Sequence, residues 1–197
     1  MLTKPNILRL VTYIVFFAAA LYFPARTVLR FERPAVPPVE MRFRVTAHDP
    51  YDPMRGRYLH LNVVCPFKDG GIRVSRYLDY RAALLEKDAE GFAVVSALLQ
   101  KRDKRPAGQP FVRSRNFTNG TYRDGAGKSV YGLRMPFDRF FLNEPLAHDA
   151  EKLLAEVTGN PGHSAVLVVD IHRDGNWAVK ELLIDGKPIL EVLRGTK

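Results

Sequence analysis

Hydrophobic positions are most concentrated near the N-terminus, where residues 10–23 contain no charged side chain. A membrane-spanning helix needs about 20 apolar residues, so this stretch spans a bilayer only if its flanks contribute. Arg9 and Arg26 can extend it, because their aliphatic stems lie in the apolar layer while their charges reach the headgroups. Pro24 is expected to end or kink the helix. The stretch is apolar on all sides rather than along one stripe, which favours a transmembrane anchor and its flank over residues 1–33.

Two alternatives to a retained anchor remain open, a cleaved signal peptide and a buried core helix of a soluble protein. Lys4 and Arg9 would form the basic region of a signal peptide, and Ala18, Ala19 and Ala20 offer small residues for cleavage. Basic residues lie on both sides of the apolar stretch, so the distribution of positive charge does not orient it. A short N-terminal tail before a large C-terminal domain favours a single-pass protein whose domain is extracytoplasmic, in the periplasm.

The pattern changes after residues 34–38, a proline-rich segment that we expect to be a stiff linker. Residues 39–45 alternate strictly between apolar and charged, which predicts a strand with one solvated face. Alternating or continuous apolar patterns predict further strands at 58–65, 91–99, 111–117, 129–134, 164–172, 177–184 and 188–193. Residues 75–89 fit either a helix or a strand with a loop. A stripe of apolar residues predicts a helix over 145–157.

These elements predict an α+β fold for residues 39–197, taken as one β-rich soluble domain. We expect a mostly antiparallel sheet or partly closed barrel with one or two helices, following the N-terminal transmembrane helix. Cys65 is the only cysteine, which excludes an internal disulfide and a multi-cysteine zinc site. Its apolar neighbours predict a buried position in a strand. No histidine pair has a metal-binding spacing, and we expect neither a metal nor a cofactor.

The net charge of +9 favours anionic partners. Basic residues are densest between 101 and 134, where Arg113 and Arg115 lie between Phe111 and Phe117. All four positions have the same parity, so on a strand we expect them to share one face. Such interleaving suits an anionic phospholipid or glycan on a membrane-anchored domain, and single-stranded nucleic acid on a cytoplasmic one. For an extracytoplasmic domain nucleic acid is the less favoured partner, and a solvated hairpin face is the simplest interpretation of the cluster. Glycine-rich residues 125–129 end like a phosphate-binding loop but lack its first glycine, so we expect a hairpin loop.

Residues 49–61 resemble the GDYXXLXY family, bacterial membrane proteins of unknown function. Gly56, Tyr58 and Leu61 match the motif, whereas Arg57 replaces its aspartate and Val63 replaces its last tyrosine. The segment from Arg139 to Glu144 is similar to a second family element, and the ending around 174–187 is similar to the family's closing hairpin. The resemblance implies a membrane anchor and marks Gly56, Tyr58, Leu61 and Glu144 as motif residues.

Spacing in the sequence nominates no catalytic residue. The leading hypothesis is therefore a non-enzymatic, membrane-anchored envelope protein that binds an anionic surface or a membrane protein partner, with Arg113, Arg115 and Arg139 as candidate anion contacts. The alternative is an enzyme acting on lipid or cell-wall material, with a pocket around Tyr58, His60, Arg139 and Glu144. A nucleic-acid-binding protein on the cytoplasmic side is the third possibility.

Overall fold

The computed structural model describes residues 4–32, 36–47, 58–68, 79–123, 129–160 and 162–195. The chain divides into two compact units, Met1–Pro37 and Pro38–Lys197. The boundary between them lies in the proline-rich segment that the sequence predicts as a linker. Gly56 and the glycine-rich residues 125–128 lie outside the described residues.

The first unit is formed by helix α1, Lys4–Glu32. Of the two outcomes expected at Pro24, an end or a kink, the end is not observed, because the helix continues through this residue for two further turns. Proline removes one backbone hydrogen bond, and an apolar helix tolerates that loss when the rest of its ladder is intact. In the following turn, the hydroxyl of Thr27 donates to the carbonyl of Phe23 at 2.9 Å. Among the described residues, Val11–Leu29 is the helical segment long and apolar enough to span a membrane, and none of it is buried.

The second unit is a mostly antiparallel α+β domain, as the sequence predicts. In its described residues the strands form two open sheets, rather than the single sheet or partly closed barrel expected from the sequence, and there are two helices. Its strands in the described part of the chain are β1 Val39–Ala47, β2 Tyr58–Pro66, β3 Tyr80–Lys87, β4 Ala93–Gln100, β5 Phe111–Arg113, β6 Thr118–Arg123, β7 Ser129–Arg134, β8 Arg139–Phe141, β9 Ala165–Ile171, β10 Trp177–Ile184 and β11 Lys187–Pro188. Its helices are α2 Glu144–Gly159 and α3 Ile189–Gly195.

The large sheet has the order β11-β10-β9-β1-β2-β7-β6, and β8 also pairs with β2. Strands β7 and β8 follow one another along the same edge of β2, since Cys65 lies opposite Leu133 and Leu59 lies opposite Phe140. Between them, the amide of Met135 donates to the carbonyl of Val63 at 2.9 Å. The small sheet has the order β4-β3-β5.

The hydrophobic core lies between the large sheet, the small sheet and α2. Alternation in β1 places Met41, Phe43 and Val45 on the inner face, which is why this strand has one apolar and one charged side. Helix α2, predicted at 145–157, contributes Leu154 and Val157 from one stripe. Burying each side chain of this size stabilises the fold by about 1.5–3 kcal/mol.

Several predicted elements differ in the structure. Residues 189–195 form α3 rather than a strand, because Ile189 and Leu193 are buried one helical turn apart while Glu191 is exposed. The ambiguous segment 75–89 contains strand β3, and residues 75–78 lie outside the described part. The strand predicted at 111–117 ends at Arg113. Strands β6 and β8 are not predicted by the sequence pattern, which shows no long alternation at either place.

Candidate functional site

The motif strand β2 separates its residues between two faces. Leu59, Leu61 and Val63 point into the core, and each is 1% exposed. Tyr58 and His60 lie on the opposite face and are partly exposed. Val63, which stands where the family motif has tyrosine, therefore occupies a core position that an aliphatic side chain fills.

Strand β8 brings a second set of side chains to the outer face of β2. Tyr58 lies opposite Phe141, and His60 lies opposite Arg139. The guanidinium carbon of Arg139 is 5.0 Å from the centroid of the Tyr58 ring, within the range of a cation–π interaction. The rings of Tyr58 and Phe141 meet edge to face, with centroids 6.1 Å apart. We call Tyr58, His60, Arg139 and Phe141 the arginine–aromatic surface.

Asp138 supplies the negative charge at this surface. One of its carboxylate oxygens lies 3.4 Å from Nε2 of His60, and the other lies 3.7 Å from Nε of Arg139. All three side chains are partly exposed, so the Asp138–Arg139 ion pair is worth only about 0–1 kcal/mol, and the His60 contact is an ion pair only when its imidazole is protonated. The pairs position the imidazole and the guanidinium more than they stabilise the fold. Phe141 is 73% exposed, which makes it the least covered aromatic ring of the set.

The structure brings together three of the four side chains in the pocket predicted for the enzyme alternative, Tyr58, His60 and Arg139. The side chain of Glu144 lies outside the description, although its backbone begins α2 three residues after β8. Leu61 is a core residue. Phe141, which belongs to the surface, and Asp138, which contacts two of its residues, are not among the candidate site residues predicted from the sequence. Phe141 could have been identified from the sequence because it lies within the second family element, two residues after Arg139.

Arg113 and Arg115 lie elsewhere, on and beyond the short strand β5 of the small sheet. The prediction that they share one strand face is wrong, because the strand ends at Arg113. Phe111 and Phe117 are only 6% and 8% exposed, so neither offers an open ring on which a nucleic-acid base can stack. Arg113 and Arg139 belong to different sheets and do not pair across one ladder.

Cys65 is buried at the inner face of β2 and donates its S–H to the carbonyl of Ala93 at 3.2 Å. Burial raises the pKa of this thiol far above its ordinary value, because the thiolate would lose its hydration. The thiol is therefore a structural group. Within the residues that the structure describes, no three His, Cys, Asp or Glu side chains are grouped to hold a metal ion.

A long apolar N-terminal helix followed by an open, mostly antiparallel α+β domain defines the class: a candidate single-pass membrane protein with one globular domain. Within that class, the sequence model of the GDYXXLXY protein family matches residues 27–182, most of the chain. The protein belongs to this family. The match includes the motif strand β2 and all of β8 and α2. No curated protein and no solved structure gives a significant match.

Proposed function

We propose that the protein is a single-pass, membrane-anchored envelope protein whose domain lies outside the cytoplasm and acts by binding. The observation that supports the anchor is the exposure of Val11–Leu29, of which nothing is buried. In water such a helix would expose far more contiguous apolar surface than soluble proteins tolerate. A bilayer around the helix removes the unfavourable contact between this apolar surface and water. The domain has its own core within Pro38–Lys197 and supplies the water-exposed part of the protein.

The arginine–aromatic surface is the binding site that we propose for a membrane protein partner. Arginine and aromatic residues are enriched at the energetically important centres of protein interfaces. Phe141 and Arg139 are both exposed, and Tyr58 supports them from the neighbouring strand. A partner that covers Phe141 would bury a large ring without first having to expose the core of this domain.

The topology is tested by fusing alkaline phosphatase, which folds only outside the cytoplasm, to the C-terminus of the full chain. A matched fusion to green fluorescent protein serves as the reciprocal reporter. We expect phosphatase activity without fluorescence. The protein should also resist alkaline extraction and keep its N-terminal residues, as read by mass spectrometry. A fluorescent, phosphatase-negative pair overturns the extracytoplasmic placement, and a shortened N-terminus overturns the anchor.

The binding surface is tested by photo-crosslinking in intact cells with a photoreactive amino acid at position 141. The control carries the same amino acid at Lys152, which is exposed on α2. We expect one discrete adduct from position 141 that the additional substitution Arg139→Glu abolishes, and no such adduct from position 152. Equal adducts from both positions, or none from position 141, contradict the proposed site.

An enzyme acting on lipid or cell-wall material is the second candidate. The observation that favours it is the contact between Nε2 of His60 and the Asp138 carboxylate, because histidine and carboxylate are residue types used in acid–base catalysis; the second ring nitrogen, Nδ1, is buried. Purified full chain and the His60→Gln variant are each incubated with phospholipid vesicles and with peptidoglycan. Product released by the wild type but not by the variant would establish catalysis. An equal lack of product from both supports the binding function.

A further inference from the structure

A second surface of the domain is strongly basic. It is formed by the loop between β4 and β5, by β5 with the residues just after it, and by the turn between β9 and β10. Its cations are all exposed, and they are Lys101, Arg102, Lys104, Arg105, Arg113, Arg115 and Arg173. We call these seven residues the basic surface.

Contacts between the three segments hold the basic surface together around Phe111. The amide of Arg113 donates to the carbonyl of Gly175 at 3.0 Å, which ties β5 to the β9–β10 turn. Gly175 has a φ of 80°, and a side-chain carbon there would lie 2.2 Å from the Phe111 ring. The guanidinium of Arg105 stacks on the same ring at 4.6 Å, which draws the β4–β5 loop towards β5. Residues more than sixty positions apart therefore contribute to one patch.

The nearby carboxylates are engaged in turns rather than in ion pairs with these cations. Asp103 accepts the backbone amide of Gln100 at 2.7 Å. Asp174 accepts the backbone amide of Asn176 at 3.0 Å and the side-chain amide of the same residue at 2.9 Å. Among the described residues, no carboxylate lies within ion-pair distance of any of the seven cations. Within the described residues of these three segments, seven exposed cations thus stand against two carboxylates, and the surface is complementary to an anionic one.

We propose that the basic surface binds the phosphate headgroups of anionic phospholipids in the bilayer that anchors the chain. This inference rests on the proposed anchor, which confines the domain to the neighbourhood of lipid and raises the effective headgroup concentration. Guanidinium groups bind phosphate through two parallel hydrogen bonds, and five of the seven cations are arginines. Each exposed cation strengthens association with an anionic bilayer by roughly fivefold.

The test uses the full-length chain reconstituted in vesicles. A fluorophore is attached to Ala107→Cys, at an exposed position of the β4–β5 loop, while the native Cys65 is buried. Vesicles contain phosphatidylcholine alone or with phosphatidylglycerol, and both carry a spin-labelled lipid that quenches near the headgroups. Both leaflets have the same composition, so the orientation of the inserted chain does not affect the result. Flotation after alkaline washing verifies insertion.

We expect quenching to rise several-fold in the phosphatidylglycerol vesicles and to fall again in 0.5 M NaCl, since salt screens exposed charges. The triple variant Arg105→Gln, Arg113→Gln, Arg115→Gln should weaken the association on the order of a hundredfold and abolish the rise. The matched control removes three exposed charges from α2, β11 and α3, and should keep the rise. It carries Lys152→Gln, Lys187→Gln and Arg194→Gln.

A chain that inserts but shows the same quenching in both kinds of vesicle overturns this inference and leaves the anchor intact. Equal loss in the two triple variants also overturns it, because net charge rather than this surface would then drive association. Salt-sensitive binding to heparin without a response to phosphatidylglycerol would overturn it in favour of an anionic glycan. A chain that is removed by alkaline washing contradicts the proposed anchor instead.

Discussion

Replacing Gly132 with alanine tests how closely β7 approaches β2. Gly132 lies opposite Pro66 on β2 and opposite Gly120 on β6. A Cβ at Gly132 would lie 2.2 Å from the carbonyl oxygen of Cys65 and 2.7 Å from its carbonyl carbon. These atoms belong to the backbone of the central motif strand, so they cannot move aside as the end of a flexible side chain can.

The expected loss of folding stability in Gly132→Ala follows from the rigidity of the β2 backbone that the new Cβ would meet. Overpacking a core by one carbon typically costs about 1–3 kcal/mol, and a clash with ladder backbone belongs at the upper end. We therefore expect Gly132→Ala to lower the free energy of unfolding by about 3 kcal/mol. Since 1 kcal/mol shifts the Tm of a domain of this size by about 2–4 °C, the Tm should fall by about 6–12 °C.

Thermal unfolding of the full chain in detergent, followed by tryptophan fluorescence, measures the shift. Trp177 is the only tryptophan, and its ring packs against Phe137 with centroids 5.3 Å apart, so its emission reports on the core. Gly120→Ala is the graded comparison, because its Cβ would meet side-chain carbons of Val64, at 2.7 and 3.3 Å, and no backbone atom among its nearest neighbours. Gly195→Ala is the neutral control, since nothing lies within 4 Å of its Cβ.

We expect the loss of stability to be largest for Gly132→Ala, smaller for Gly120→Ala and absent for Gly195→Ala. The double variant Gly120→Ala, Val64→Ala should remove the clash at Gly120. A Tm of Gly132→Ala close to that of the wild type would refute the close approach of β7 to β2.

Four further predictions concern single residues. Cys65 should resist thiol reagents in the folded protein and react fully in denaturant, as measured by mass shift, because it is 1% exposed and burial raises its pKa. The hydrogen bond from His163 at 2.7 Å holds the pKa of Asp185 below its ordinary value of 3.8. Its stabilising contribution is therefore present above pH 4 and lost as the pH falls through the lowered pKa. Accordingly, Asp185→Asn should have a lower Tm than the wild type at pH 7, and the two should converge at pH 2; a constant difference would contradict the assignment. Leu61→Ala should cost about 2–5 kcal/mol in a denaturant titration, because it empties a core position. Arg139→Ala should stay within about 0.5 kcal/mol of the wild type, because its side chain is exposed.

The arginine–aromatic surface was only partly predictable. The motif indicates Tyr58, and the second family element indicates Arg139, but neither pattern states that they touch. Their contact depends on the pairing of β8 with the first half of β2, across about eighty residues of chain. Asp138 carries no pattern of its own and is identified only by its distances to His60 and Arg139.

Elements whose signal is local can be predicted from the amino-acid sequence. The apolar segment before the linker predicts a helix able to span a membrane, and strict alternation predicts β1. Asp174 and Gly175, an Asp-Gly pair between two apolar stretches, predict the hairpin of β9 and β10, and an apolar stripe predicts α2. Each of these patterns is complete within one short stretch of chain, because the period of a helix or strand is set by its own backbone geometry.

The α3 helix and the two surfaces depend on contacts between distant parts of the chain. Residues 189–195 form a helix because Ile189 and Leu193 find the core one turn apart, although a short apolar segment fits a strand equally well. The basic surface exists because β5 meets the turn at Gly175, and the arginine–aromatic surface exists because β8 continues the edge of β2. These contacts between distant segments depend on sheet order and register. Sheet order and register are selected by burial of the whole core, so the local pattern of any one segment does not reveal them.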